Sequence, residues 1–210
     1  MAGRVLSVAE CDRRWRAWTP AEVAERLAGA PPCWYVAAGW ALDLFVGGLG
    51  RAHYDLEIGV PRGRFAEIAD AFPGYEWDVV GDGHVWPYPE EADNQHQTWL
   101  REPKTGRYHL DVFREPHRDD HWVCRRDSSI TLPFDELILR TADGIPYAIP
   151  EVVLLFKAQA QRPKDETDFR HTLPALNRAQ RSRLSDWLSR VHPGHPWLAP
   201  LSSHALGSRR

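Results

Sequence analysis

No stretch of this chain approaches the roughly 20 consecutive apolar residues that a membrane-spanning helix requires. The opening Met1-Ala-Gly-Arg-Val-Leu-Ser-Val-Ala-Glu-Cys-Asp-Arg-Arg has no apolar run of the kind that a secretory leader carries. Neither a membrane anchor nor an export signal is therefore expected. Cysteine is scarce as well. Cys11, Cys33 and Cys124 are odd in number, scattered and without C-x-x-C spacing, which argues against a disulfide frame or a zinc site and predicts reduced thiols in a cytoplasmic protein. A large charge of either sign is lacking too. At a net charge of -3 the chain has no global pull toward nucleic acid or anionic lipid. Internal repeats and low-complexity segments are absent, and no linker composition divides the 210 residues.

What is present suits a folded enzyme. The chain is 43% hydrophobic and 26% charged, enough for a core and ordinary for a surface in water. Thr19-Pro20-Ala21-Glu22 is a capping box with proline at the first helical position, and Gly29 is a plausible stop. Cys33 to Ala37 reads as a short buried strand, Trp40 to about Val46 as a helix ended by Gly47-Gly48, and Tyr54 to Val60 as a strand. A helix is expected over Arg64 to Ala71. Between 75 and 149 the pattern is β: Tyr75–Val80, Gly83–Pro87, Gln97–Arg101, Arg107–Phe113, Trp122–Arg125, Glu136–Thr141 and Ile145–Ile149. From Pro150 it turns helical, over Glu151–Gln161, about Lys164–Leu173, and from Asn177 to near His192. We therefore expect an α/β unit over 1–149 followed by a small helical part over 150–210.

The strand Tyr54 to Val60 carries the first chemical signal. Asp55 and Glu57 are two residues apart, so on an extended strand both side chains share a face, while Leu56, Ile58 and Val60 turn to the core. Two adjacent acids repel, and folding gains nothing from them; a hard cation such as Mg²⁺ resolves the repulsion. Asp111, flanked by Leu110 and Val112, offers a third carboxylate from another strand. Three such groups can hold Mg²⁺ between protein and phosphate oxygens, and the third can take the proton from an attacking hydroxyl.

Ala38-Gly39-Trp40, then Asp55-Leu-Glu57, then the distant Asp111, resembles the nucleotidyltransferase superfamily of the polymerase-β type. The wording Gly-Trp-Ala-Leu-Asp-Leu-Phe…Arg-Ala-His-Tyr-Asp-Leu-Glu is most similar to the small aminoglycoside 2″-adenylyltransferase and lincosamide nucleotidyltransferase branch. Leu110-Asp111-Val112 and the stretch from Pro150 through Lys157 and Arg162 to Phe169 extend the likeness more loosely. The resemblance implies a mixed-sheet fold and a two-metal Mg²⁺ site held by Asp55, Glu57 and Asp111. It also implies transfer of a nucleoside monophosphate from NTP, with ATP the expected donor, to a hydroxyl. The turn at Gly39 and Trp40 would lie against the triphosphate, and Arg51 and Lys157 would neutralise phosphate charge. Two departures stand out: Ala38 replaces the first glycine of the usual pair, and the second acid is Glu57 in place of aspartate. Superfamily alternatives are a toxin-like transferase acting on RNA or protein, and a nucleotide-binding pseudoenzyme. The intact acidic trio argues against the second.

The expected partners are thus a nucleotide and a small acceptor. From Phe65 to Leu100 there is no Lys or Arg, while Glu67, Asp70, Glu76, Asp78, Asp82, Glu90, Glu91 and Asp93 are all acidic. If this arm borders the cleft, it favours a cationic acceptor such as an aminoglycoside and disfavours nucleic acid. Among Trp77, Trp86, Trp99 and Trp122, one or two are expected to stack on a base, sugar or cation. Asp43, His53, Arg125, Arg126, Lys164, Asp165 and Asp168 lie in or near these motifs, with site and structural roles both open.

Overall fold

A computed structural model describes residues 3–29 and 33–203; the end of the expected helical part, 204–210, lies outside them. In chain order the elements are β1 (Arg4–Val5), α1 (Val8–Arg14), α2 (Pro20–Arg26), β2 (Tyr35–Val36), α3 (Ala38–Val46), β3 (Glu57–Pro61), α4 (Phe65–Asp70), β4 (Glu76–Gly81) and β5 (His84–Pro87). They continue with β6 (Gln97–Arg101), β7 (Tyr108–Glu115), β8 (His117–Arg118), β9 (His121–Val123), β10 (Thr131–Pro133), α5 (Phe134–Leu137), β11 (Ile138–Arg140) and β12 (Pro146–Ala148). The chain then runs through α6 (Pro150–Lys157), α7 (Pro163–Thr172), α8 (Arg178–Val191) and α9 (Leu198–Ser202).

Local chemistry explains where the helices begin. Thr19 and Asn177 each accept a hydrogen bond from the backbone three residues on, and Glu22 and Gln180 return the bond. Ser7 and Glu10 do the same for α1, a helix missing from the expectations although its capping box is just as legible. Gly47, at φ 80°, ends α3 in the left-handed region, with its N–H and that of Gly48 on the carbonyl of Asp43. The helix expected to reach Gln161 stops at Lys157. Gln161 sits at φ 46°, and Pro163, at the first position of α7, starts a new helix there.

Nine strands form one mixed sheet in the order β1-β5-β4-β6-β7-β3-β2-β12-β11. β3 runs parallel to β7 and antiparallel to β2, and β7 runs antiparallel to β6. Strands β10-β9-β8 make a separate small sheet. Leu56, Ile58, Val60, Leu110 and Val112 are fully buried on one face of the large sheet, in a core continuous with Leu155 of α6 and Leu184 of α8. The opposite face of β3 and β7 is left for the site.

Candidate active site

Strand register lays out the floor of the site. Glu57 on β3 is level with Asp111 on β7, which is level with Trp99 on β6. On the other side of Glu57, the Ala37 N–H bonds its carbonyl at 2.8 Å. One step along, about 6.6 Å for two residues, the second row reads Tyr35, Gly59, Phe113 and Gln97. Gly59 is required there, because a Cβ at this position would come within 2.2 Å of the Tyr35 ring. Asp55 is not on the strand. β3 opens only at Glu57, and Asp55 lies two residues ahead of it, its carbonyl accepting the Trp40 indole N–H at 3.1 Å. It nonetheless faces the same cavity of about 540 Å³ as Glu57 and Asp111.

Glu57 and Asp111 are costly to ionise. Burial, then the charges of Asp55 and Asp111, push Glu57 up to about 8, although its carboxylate still meets water in the cavity. Burial also pushes Asp111 up to about 7, against the easing effect of Gln97, whose amide donates to Oδ2 at 2.7 Å, and of the Trp99 indole. The remaining oxygen, Asp111 Oδ1, and the Trp99 Nε1 are both buried and make no hydrogen bond of normal geometry. Among the described residues no three His, Cys, Asp or Glu side chains draw together into a metal cage. Mg²⁺ does not need one, since it binds through one or two carboxylates, keeping waters and phosphate oxygens as its other ligands. An orphaned carboxylate oxygen beside acids held above their ordinary range fits such an ion.

Cations form the facing wall. Asp168 of α7, 3% exposed, accepts both Nε and Nη2 of Arg51 at 2.8 and 3.1 Å, and Lys157 Nζ at 2.8 Å. Asp165 takes Arg162 at 2.8 and 3.1 Å and lies 3.5 Å from Lys157. Burial opposes the charge on both aspartates, yet Arg51 and Lys157 at Asp168, and Arg162 and Lys157 at Asp165, hold them below the usual carboxylate range. Arg51, Lys157, Arg162 and Lys164 all line the cavity, and Lys164 forms no ion pair among the described residues. At the other end Arg125 and Arg126 lie 4.8 and 4.6 Å from the Phe156 ring centre. Arg125 is also paired to Glu115. His96 lines the cavity and is pushed down to about 4 by burial and by Arg125, Arg114 and Arg62.

Asp55, Glu57, Asp111, Arg51 and Lys157 thus converge on one cavity, whereas Gly39 and Trp40 do not line it. A Cβ on Gly39 would meet Arg51 Nη2 at 2.5 Å and His53 at 2.6 Å, so glycine here makes room for protein side chains. Trp40 stacks on His53 at 4.5 Å, and His53 bonds Asp43 at 2.6 Å, a brace under the segment that leads to Asp55. Ala37 and Ala38 are the small residues that this turn brings to the cavity, and Ala38 stands at φ 49°, the left-handed region that glycine tolerates better. The acidic arm turns away. None of its eight named acids lines the cavity; Asp78 is buried against Arg101 and Tyr108, Glu76 meets Arg101, and Glu67 meets Arg64. Trp99 and Trp122 do line it, joined by Trp15, Tyr35 and Glu115, which the expectations had passed over. The alternation of Asp111, Phe113 and Glu115 along β7 was the signal for Glu115.

No family model and no curated protein matches the chain. Solved structures do. The crystal structure of ANT(2″)-Ia in complex with adenylyl-2″-tobramycin superposes with a TM-score of 0.53 at 14% identity, covering 81% of this chain and 94% of that one. The fold is shared with ANT(2″)-Ia. Its solution structure agrees, with a TM-score of 0.51 at 14% identity over 89% of this chain and 92% of that one. Lincosamide antibiotic adenylyltransferase LnuA, lincomycin-bound, superposes more loosely, at 0.49 and 16% identity over 74% of this chain and 93% of that one. The mixed-sheet α/β architecture expected from the sequence is therefore the one observed, and it is the fold of ANT(2″)-Ia.

Proposed function

We propose that this chain is a Mg²⁺-dependent nucleotidyltransferase that moves a nucleoside monophosphate, AMP being the expected one, from NTP to a hydroxyl of a small acceptor and releases pyrophosphate. One observation carries the reading. Asp55, Glu57 and Asp111 line a single cavity together with four cations, Arg51, Lys157, Arg162 and Lys164, on a fold shared with an adenylyltransferase. Asp55 and Glu57 would hold Mg²⁺, which when bound neutralises the phosphates and polarises the α-phosphorus. Arg51, Lys157, Arg162 and Lys164 would bind the triphosphate, and Asp165 and Asp168 fix three of them in place. Asp111, held near neutrality, is matched to accepting the proton of the attacking hydroxyl at neutral pH. On this reading residues 1–149 supply the acids and the part from 150 onward supplies most of the phosphate clamp. The likeness to ANT(2″)-Ia supports an aminoglycoside among the acceptors to be tried, while the cavity's own charge gives such a polycation no added support.

The test is incubation with α-labelled ATP, GTP, CTP or UTP and Mg²⁺ in the presence of aminoglycosides, neutral sugars, total tRNA or protein extract. Label on a small molecule with stoichiometric pyrophosphate is the expected result. Label on a macromolecule overturns the small-acceptor reading, and nucleotide binding without turnover under any condition leaves only a binding protein.

A further inference from the structure

Resting on the nucleotidyl-transfer reading, we infer that Trp15 and Trp99 form the acceptor's seat, and that the acceptor is a hydroxylated ring recognised by its face, as a neutral sugar is, and not by charge. A general base must lie within hydrogen-bond reach of the hydroxyl it activates. Asp111 has Glu57 on one flank and Trp99 on the other, each directly opposite it in the ladder. The Glu57 flank belongs to the metal and phosphates. The space over Trp99 is left for the acceptor.

Trp15 extends that surface. It pairs with Tyr108 through an isolated bridge, and its ring lies 5.3 Å from that of Trp99 at 73°. Both indoles line the cavity. Indole faces suit the C–H face of a sugar ring as well as a cation, so the choice between them falls to the charges around the seat. The base is tied to the same surface: Trp99 lies directly opposite Asp111, and its indole eases the charge on that carboxylate. Apart from Asp111, the lining on this flank is Trp15, His96, Gln97 and Trp99, with no second carboxylate to pair an ammonium group. Glu115 is engaged by Arg125 and the Trp122 indole. The carboxylates beside the base, Glu57 and Asp55, are the ones assigned to Mg²⁺, so a polycation finds no unassigned counter-charge there.

The test offers wild-type protein α-labelled ATP and Mg²⁺ with two acceptor pools, methyl glycosides with neutral disaccharides, and tobramycin with kanamycin. A non-hydrolysable ATP analogue measures nucleotide affinity separately. The expected result is label on the neutral pool. Trp15→Ala should lower kcat/KM for that acceptor about tenfold, the scale of one lost ring-stacking contact, with analogue affinity changed less than about twofold. Trp99→Phe keeps an aromatic ring but removes the N–H and part of the stacking face. It should also lower transfer, and circular dichroism will show whether each variant is folded. Preference for tobramycin overturns the inference. So does transfer unaffected by both substitutions, or nucleotide binding with no label on either pool. Failure of the analogue to bind the wild-type protein would instead sink the nucleotidyl-transfer reading itself.

Discussion

Replacing Asp111 with asparagine should stabilise the metal-free protein, and only at high pH. Asp111 is 5% exposed, and its carboxyl is raised from 3.8 to about 7, first by burial. The folded state therefore keeps a proton that the unfolded state has already released. Below pH 4 both states are protonated and the group contributes nothing. Between about pH 4 and pH 7 the folded state binds more protons, so stability falls as pH rises. The loss is complete above the folded value, at about 1.36 kcal/mol for each of roughly three units, or about 4 kcal/mol at most. Asparagine removes the charge and preserves an oxygen to accept the Gln97 amide. The Asp111→Asn variant should accordingly exceed wild type by about 2–4 kcal/mol at pH 8 and by almost nothing at pH 4. Urea unfolding in EDTA at a series of pH values measures this directly. Excess Mg²⁺ with an ATP analogue should narrow the gap at pH 8, because bound ligand stabilises the wild-type native state. A variant no more stable than wild type at pH 8, or a difference independent of pH, would refute an uncompensated buried charge at Asp111.

Asp55→Asn should abolish turnover, read as pyrophosphate release, while leaving the melting temperature at or above that of wild type, since one like charge beside Glu57 is gone. Asp168→Ala strands Arg51 and Lys157 without their shared acid. It should cost about 2–4 kcal/mol in urea unfolding and raise the KM for ATP. Ala38→Gly relieves a left-handed alanine but loosens the unfolded chain, for a net gain of about 0.5 kcal/mol, which calorimetry would show as a slightly higher Tm.

How much of this was legible in the sequence depended on whether the signal was local. The capping boxes at Thr19 and Asn177 and the alternation in Glu57 to Val60 are short-range chemistry, and the elements follow them. The pairing of Glu57 with Asp111 is not local. No spacing rule puts residues so far apart on neighbouring strands; the apolar flanks of Asp111 made it a candidate, and the resemblance to nucleotidyltransferases supported grouping it with Glu57. The acidic arm failed for a related reason. Composition shows that the stretch lacks cations, but the sheet order places β4 and β5 beyond β6, away from β3, and Arg101 from outside the stretch neutralises Glu76 and Asp78. Trp15 was invisible because nothing in the N-terminal segment announces that it returns to Tyr108. Gly39 was assigned to a phosphate because glycine turns often serve that role, whereas here Arg51 and His53 occupy the space a side chain would need.

The pairing of the cations also bears on why the acids stay available. Lys157 and Lys164 are near enough to Glu57 to lower its proton affinity, but neither bonds it. Had Lys157 or Arg51 closed directly onto Asp55 or Glu57, the apo protein would have neutralised the acids proposed to hold Mg²⁺. A metal would then have to break a buried pair before binding, at a cost of several kcal/mol. Asp168 prevents this by holding both cations with one carboxylate, and Asp165 holds Arg162 from the same helix turn. Glu57 keeps its raised proton affinity, and the cations remain fixed on the two aspartates of α7. Charge separation of this kind is maintained by α7, so the helix that contributes no carboxylate to the proposed centre sets the electrostatic state of the cavity.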